Sequence, residues 1–110
     1  MTLDEMIMDY AYRAPTRLTV NQIHQVITDN YILVEEDVFI AFGIFLDEIH
    51  ILFPYAARGK SILPLYYRLA AAAKQAGFKR MELTTNRPKA VNRLIKGLKP
   101  VGITFVKELS

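Results

Sequence analysis

Two groups of residues in this chain have the types and spacing that chemistry needs. Glu48 and His50 stand two apart in a run of β-branched and aromatic residues. Strand side chains alternate with a period of two, so the pair shares one face and could act as an acid–base unit that takes a proton from a substrate. The plain alternative is two polar side chains facing solvent. The second group is Arg58, Gly59, Lys60 and Ser61, where that strand gives way to a helix rich in Leu, Tyr and Ala. A helix start presents amides with no partner inside the helix, together with the positive end of its dipole, so these four residues read as a phosphate cradle. Ser61 also reads simply as the cap of that helix.

Other chemistries fail on composition or spacing. The chain has no cysteine, which excludes disulfides, thiolate zinc sites, iron–sulfur clusters and a cysteine nucleophile. Gly59, Lys60 and Ser61 match the tail of a nucleotide-binding P-loop, but the first glycine of that motif falls at Pro54. Ser61 and Ser110 are the only serines and neither lies in a Gly-x-Ser-x-Gly elbow, so a serine hydrolase is unsupported. His24 lies beside a helical stripe, and no third ligand falls at a spacing that would complete a metal site.

The elements that must position these residues follow from periodicity. Residues 2–12 carry Leu3, Met6, Ile7 and Tyr10 at helical spacing, and Ala14 and Pro15 end that helix. Thr19 caps a second helix with Ile23, Val26 and Ile27 as its apolar stripe, broken at Asp29 and Asn30. Three strands follow at 31–34, 38–45 and 49–53, reading as an antiparallel meander whose middle strand is apolar on both faces. A helix over 61–76 carries Pro64 in its first turn and ends at Gly77, and a strand covers 80–84. Pro88 opens a further helix with Val91, Leu94, Ile95 and Leu98 inward and Lys89, Arg93 and Lys96 outward, and 101–107 closes as a strand. The order αα βββ α β α β predicts an α/β fold: a mixed, mostly antiparallel sheet flanked by helices, with one parallel pair.

Composition bounds the partners. The 110 residues, 52% hydrophobic and 23% charged, make one compact domain over 1–110. The net charge of +3 conceals two unlike halves: residues 1–57 hold two basic against nine acidic side chains, and residues 58–110 hold twelve basic against two acidic. The basic half suits a polyanion such as a nucleotide-bearing cofactor or nucleic acid. The acidic half suits a cationic substrate, or the other half of the same chain. The acidic start of the sequence is unlike a secretory signal, and no apolar run approaches the roughly 18 residues of a membrane helix, so a cytoplasmic protein with no membrane partner is expected.

The run from Glu48 to Val106 resembles the core of the GCN5-related N-acetyltransferase (GNAT) superfamily. That family's fingerprint is a strand, a loop of type Arg/Gln-x-x-Gly-x-Gly/Ala, a helix ending in Ala-x-x-x-Gly, a strand, and Asn-x-x-Ala-x-x-x-Tyr. The matching pieces are Arg58 to Leu63, Ala72 to Gly77, Met81 to Asn86, and Ala90. The resemblance implies acetyl-CoA as cofactor and transfer of its acetyl group to an amine. It implies that amides near Arg58, Gly59, Lys60 and Ser61 bind pyrophosphate. Leu52, Phe53 and Tyr55 would line the pantetheine arm, with Asn86 in contact with it. Glu48 or His50 would be the base. Ser61 and Leu63 replace the two small residues of the fingerprint, and the family's frequent tyrosine acid falls near Arg93 or Leu94. A catalytically silent scaffold, such as a small phage relative in virion assembly acting in the host cytoplasm or virion with a protein partner, is therefore the alternative, and a nucleic-acid binder is the third.

Overall fold

The computed structural model describes residues 1–13, 18–84, 99–101 and 104–109. Helices α1 (Leu3–Arg13) and α2 (Val20–Thr28) come first, followed by strands β1 (Tyr31–Glu35), β2 (Val38–Phe45) and β3 (Glu48–Ala56). Helix α3 (Leu63–Gln75), β4 (Arg80–Thr84), β5 (Lys99–Val101) and β6 (Thr104–Glu108) complete the described elements. Both opening helices start on reciprocal caps. The Thr2 hydroxyl accepts from the Glu5 amide and the Glu5 carboxylate from the Thr2 amide, and Thr19 and Gln22 repeat the exchange at α2, where the cap was expected.

The six strands form one sheet in the order β1-β2-β3-β4-β6-β5. All neighbours are antiparallel except β3 and β4, which run parallel because α3 carries the chain back across the sheet. The expected mixed, mostly antiparallel α/β sheet is thus observed. Strand β2 is buried on both faces from Val38 to Phe42, as its unbroken apolar run requires of an interior strand. Its side chains alternate between two cores. Phe39 and Ala41 meet Met6, Ile7, Ile23 and Ile27 of α1 and α2 on one face. Val38, Ile40 and Phe42 meet Leu65, Leu69 and Ala73 of α3 on the other. Full burial of a side chain such as Ile7 or Ile23 is worth about 1.5–3 kcal/mol, so the helices are held chiefly by these two layers.

Three differences from the sequence expectation matter. The closing strand expected over 101–107 is instead the antiparallel pair β5 and β6. Strand β3 continues past Phe53 to Ala56. Helix α3 starts at Leu63 rather than Ser61, because Ala57 to Lys60 form a turn closed by the Lys60 amide on the Ala57 carbonyl at 2.9 Å. The helix expected from Pro88, with Asn86, Lys89, Arg93 and Lys96, lies outside the described residues. Among the described residues, no helix is long and apolar enough to cross a membrane.

Candidate functional site

The site is built by the way β3 leaves its neighbour. The β3–β4 register runs from Glu48 opposite Arg80 to Ile51 opposite Leu83 and ends there, while β3 continues for five more residues. Two local features favour the separation. On the β2 side Phe42 pairs with Ile51 and Ala41 with Phe53, so Leu52 is the extra residue of a β-bulge. Two residues on, Pro54 has no amide to offer a ladder, and proline is accepted where a strand has a neighbour on one side only.

The bulge also redirects side chains. Ile49 and Ile51 point into the α3 core, whereas Phe53 and Tyr55 point into the core under α1 and α2. One inserted residue has inverted the alternation. Glu48 and His50, opposite in phase to Ile49 and Ile51, therefore share the face that carries Phe53 and Tyr55 after the bulge.

The structure brings Glu48 and His50 together, with His50 Nε2 3.1 Å from Glu48 Oε2. Arg80 steadies the pair from outside: its Nη1 donates to Glu48 Oε1 at 3.4 Å and its Nη2 to Glu108 Oε1 at 3.0 Å. Those two carboxylates raise the Arg80 pKa, the hydrogen bond to Glu108 contributing most. The Phe45 ring stands edge-on to His50 with centroids 6.2 Å apart. A third member was missed from sequence: Glu82 faces His50 across the parallel register, its Oε2 3.9 Å from His50 Nε2. Its signal was alternation along residues 80–84, usable only once that strand is paired in register with β3. A cleft of about 490 Å³ opens at the divergence, lined by His50, Glu82, Leu52, Phe53, Ile51 and Val26.

Tyr55 is buried and committed elsewhere. Its hydroxyl donates to Asp9 Oδ2 at 2.5 Å, and the Arg13 guanidinium lies 5.5 Å from its ring centroid while bonding Asp9 at 2.8 Å. The Tyr55 hydroxyl, first, and then Arg13 hold the Asp9 carboxyl below its usual pKa. Tyr55 thus offers the cleft its backbone, while its side chain pins α1 to the sheet. Leu52 remains 37% exposed at the cleft, and Phe53 is buried.

At the far end of β3 the basic loop turns tightly. Gly59 has φ +83°, a conformation that favours glycine, and a Cβ there would meet nothing within 4 Å, so the turn is open outward. The Leu63 amide donates to Ser61 Oγ at 3.2 Å, so Ser61 caps from one position before the helix boundary at Ile62. Among the described residues, the amides of Gly59, Ser61 and Ile62 have no partner. Lys60 is not free: its Nζ lies 3.6 Å from Glu36 Oε2. A pocket of about 290 Å³ beside the loop has Glu35, Glu36, Lys60 and Ser61 in its wall. Arg58 is exposed and lines a separate depression with Asp9 and Asp37.

No protein-family model and no curated protein matches this sequence. Solved structures do. An acetyltransferase of the GNAT family from Staphylococcus aureus superposes with a TM-score of 0.67 at 9% identity, covering 96% of this chain and 90% of that one. The GNAT family N-acetyltransferase YhbS from Escherichia coli, in complex with CoA, gives 0.64 at 14% identity over 100% of this chain and 78% of that one. N-acetylglutamate synthase from Neisseria gonorrhoeae, complexed with coenzyme A and N-acetyl-glutamate, gives 0.69 at 12% identity over 96% of this chain and 32% of that one. With its parallel β3–β4 pair diverging beside a bulge and a basic turn leading into α3, this chain has the fold of the GNAT acetyltransferases.

Proposed function

We propose that this protein is an acetyl-CoA-dependent N-acetyltransferase acting on an amine. The observation that carries the reading is the juxtaposition of the strand divergence after Ile51 with the Glu48–His50 pair beside it. When bound, acetyl-CoA would supply a thioester whose acyl carbon accepts an amine nitrogen. The chain's part is to hold and to move a proton. The open amides of Gly59, Ser61 and Ile62, at the positive end of α3, fit a pyrophosphate, and Arg58 and Lys60 add charge. The backbone of Leu52 to Tyr55, paired with β2 along one edge and without a strand partner among the described residues along the other, fits the pantetheine amides, with Asn86 the further contact that the resemblance implies. Glu82 would draw the acceptor ammonium into the cleft. With Glu48 ionised, the His50 Nε2–H donates to Oε2 and the lone pair on Nδ1 is left to take the proton the ammonium must lose before it can attack.

A specific observation favours a second reading, a GNAT-fold scaffold without catalysis: Glu36 already holds Lys60, and Leu63 stands at the second small position of the fingerprint. Calorimetric titration with acetyl-CoA and CoA, paired with a thiol-release assay across an amine panel, separates the two. Micromolar binding and turnover lost in His50→Ala are expected. Absence of binding up to millimolar ligand would overturn the enzyme reading and favour the scaffold. Steeply salt-dependent binding to DNA or RNA would instead favour the nucleic-acid role.

A further inference from the structure

Glu48, His50 and Glu82, each given a separate role in the proposed acyl transfer, also make a single donor set. Their ligand atoms, one imidazole nitrogen and two carboxylate oxygens, all lie within 4.8 Å of one another, and each residue is half-buried. We propose that this triad is a binding site for a divalent transition metal of the Zn²⁺ class.

The distances support it. Zinc bonds to nitrogen and oxygen are about 2.0–2.2 Å long, so tetrahedral ligand atoms stand about 3.3–3.5 Å apart. The Nε2 to Glu48 Oε2 separation of 3.1 Å must open by about 0.2 Å to reach that range and the 3.9 Å to Glu82 Oε2 must close by about half an ångström, both within rotamer reach. The donors sit on the paired stretch of β3 and β4, where His50 lies opposite Glu82, so the sheet fixes their spacing. The fourth position is open, because the 490 Å³ cleft reaches both His50 and Glu82.

Charge points the same way. Glu48 divides its two oxygens between His50 and Arg80, whereas the one basic side chain within 4 Å of the Glu82 carboxylate among the described residues is the His50 ring. A divalent ion bound between the two carboxylates and the imidazole would add positive charge where, among the described residues, Arg80 alone supplies it. One imidazole with two carboxylates suits a borderline ion better than Mg²⁺ or Ca²⁺, which take oxygen alone. The ion would occupy the position of the proton that His50 Nε2 donates to Glu48, so the imidazole would bind as the tautomer that carries its proton on Nδ1. This inference does not rest on acyl transfer. If transfer is also correct, an occupied triad ties up the proposed base, and the same metal inhibits.

The test uses the whole chain after chelator treatment, titrated with Zn²⁺ against a chromogenic chelator and with Co²⁺ by visible absorption. One ion per chain is expected, with affinity falling roughly 100-fold or more in His50→Ala and substantially in Glu82→Gln. His24→Ala should leave it unchanged, because His24 pairs with Asp4 outside the triad. Circular dichroism checks that each variant folds. Should His50→Ala not fold, Co²⁺ broadening of the His50 ring resonances in the unaltered protein reads the site directly. Binding that survives His50→Ala, broadening at other residues only, or no uptake at millimolar metal would each overturn the proposal.

Discussion

Glu36→Gln should tighten CoA binding, although Glu36 belongs to no fingerprint. Lys60, the lysine of the basic loop, is held by Glu36 at 3.6 Å, and an incoming pyrophosphate must compete for it. The Glu36 side chain is 80% exposed and that of Lys60 44%, so their attraction is screened and the pair is worth about 0.2–1 kcal/mol. Removing the carboxylate also removes its repulsion of a bound phosphate, worth about 0.5 kcal/mol at about 8 Å in water and less in salt. The two effects together come to about 1 kcal/mol, or roughly fivefold in Kd. Calorimetry at low and at moderate salt reads the change, which should shrink as the screening length falls. Asp47→Asn removes one negative charge from the β2–β3 turn, at the other end of the nine-residue β3, about 30 Å from the loop. It should change Kd little. An unchanged Kd in Glu36→Gln, or equal tightening in Asp47→Asn, would refute the argument that the Glu36 carboxylate opposes the phosphates.

Three further outcomes follow from the same geometry. Among the described residues, the buried Tyr66 hydroxyl has no hydrogen-bond partner, and burial pushes its pKa up to about 12. Tyr66→Phe should therefore stabilise the protein by about 1 kcal/mol, raising Tm by about 4–8 °C in thermal melts, and a lower Tm would mean that the hydroxyl has a partner. Asp9 is held below its usual pKa by the Tyr55 hydroxyl first and Arg13 second, so its contribution is present above the ordinary carboxylate range and is lost as pH falls below about 4. In urea titrations from pH 6 downward, Asp9→Asn should be less stable near neutrality and should flatten the acid limb; an unaltered limb would count against the pairing. Leu63→Ala restores a small residue at the second small position of the fingerprint while keeping a good helix former, and should tighten CoA binding in the same calorimetric assay unless the Leu63 side chain leaves the phosphates clear.

Much of the frame was legible because it rests on local patterns. The Thr19 cap, the helix breaker at Asp29 and Asn30, and the doubly buried Val38–Phe42 run each encode their element within a few residues. What escaped was non-local or singular. A bulge at Leu52 depends on how β3 meets β2, and nothing in the apolar run over 49–53 marks which residue is left over. The same limit hid Glu82, whose side chain becomes part of the site only through the parallel register with β3. The segment over 101–107 reads as one strand because β5 and β6 are short and the sequence of each contains apolar residues. The start of α3 slipped from Ser61 to Leu63 because a turn at Gly59 and a cap by Ser61 compete for the same residues.

The division of charge between the halves takes on a structural meaning once its partners are known. Glu35 meets Arg68, Glu36 meets Lys60, Asp47 meets Lys79 and Glu48 meets Arg80, each pair joining the acidic first half to the basic second. Side chains that looked available to a polyanion or a cationic substrate are thus partly consumed in holding α3 and β4 against the meander. The pairs of Glu35, Glu36 and Asp47 are exposed and contribute little to stability, yet all four lower the charge left for a ligand. The two ends of β3 differ in this respect. At the loop, Glu36 subtracts from the positive potential a pyrophosphate would need. At the cleft, Arg80 takes one oxygen of Glu48 and, among the described residues, leaves Glu82 to His50, so negative charge remains there for an ammonium or a metal ion. Binding of a cation at the cleft should therefore tolerate changes at Lys60, whereas binding of CoA should respond to every charge within a screening length of the turn.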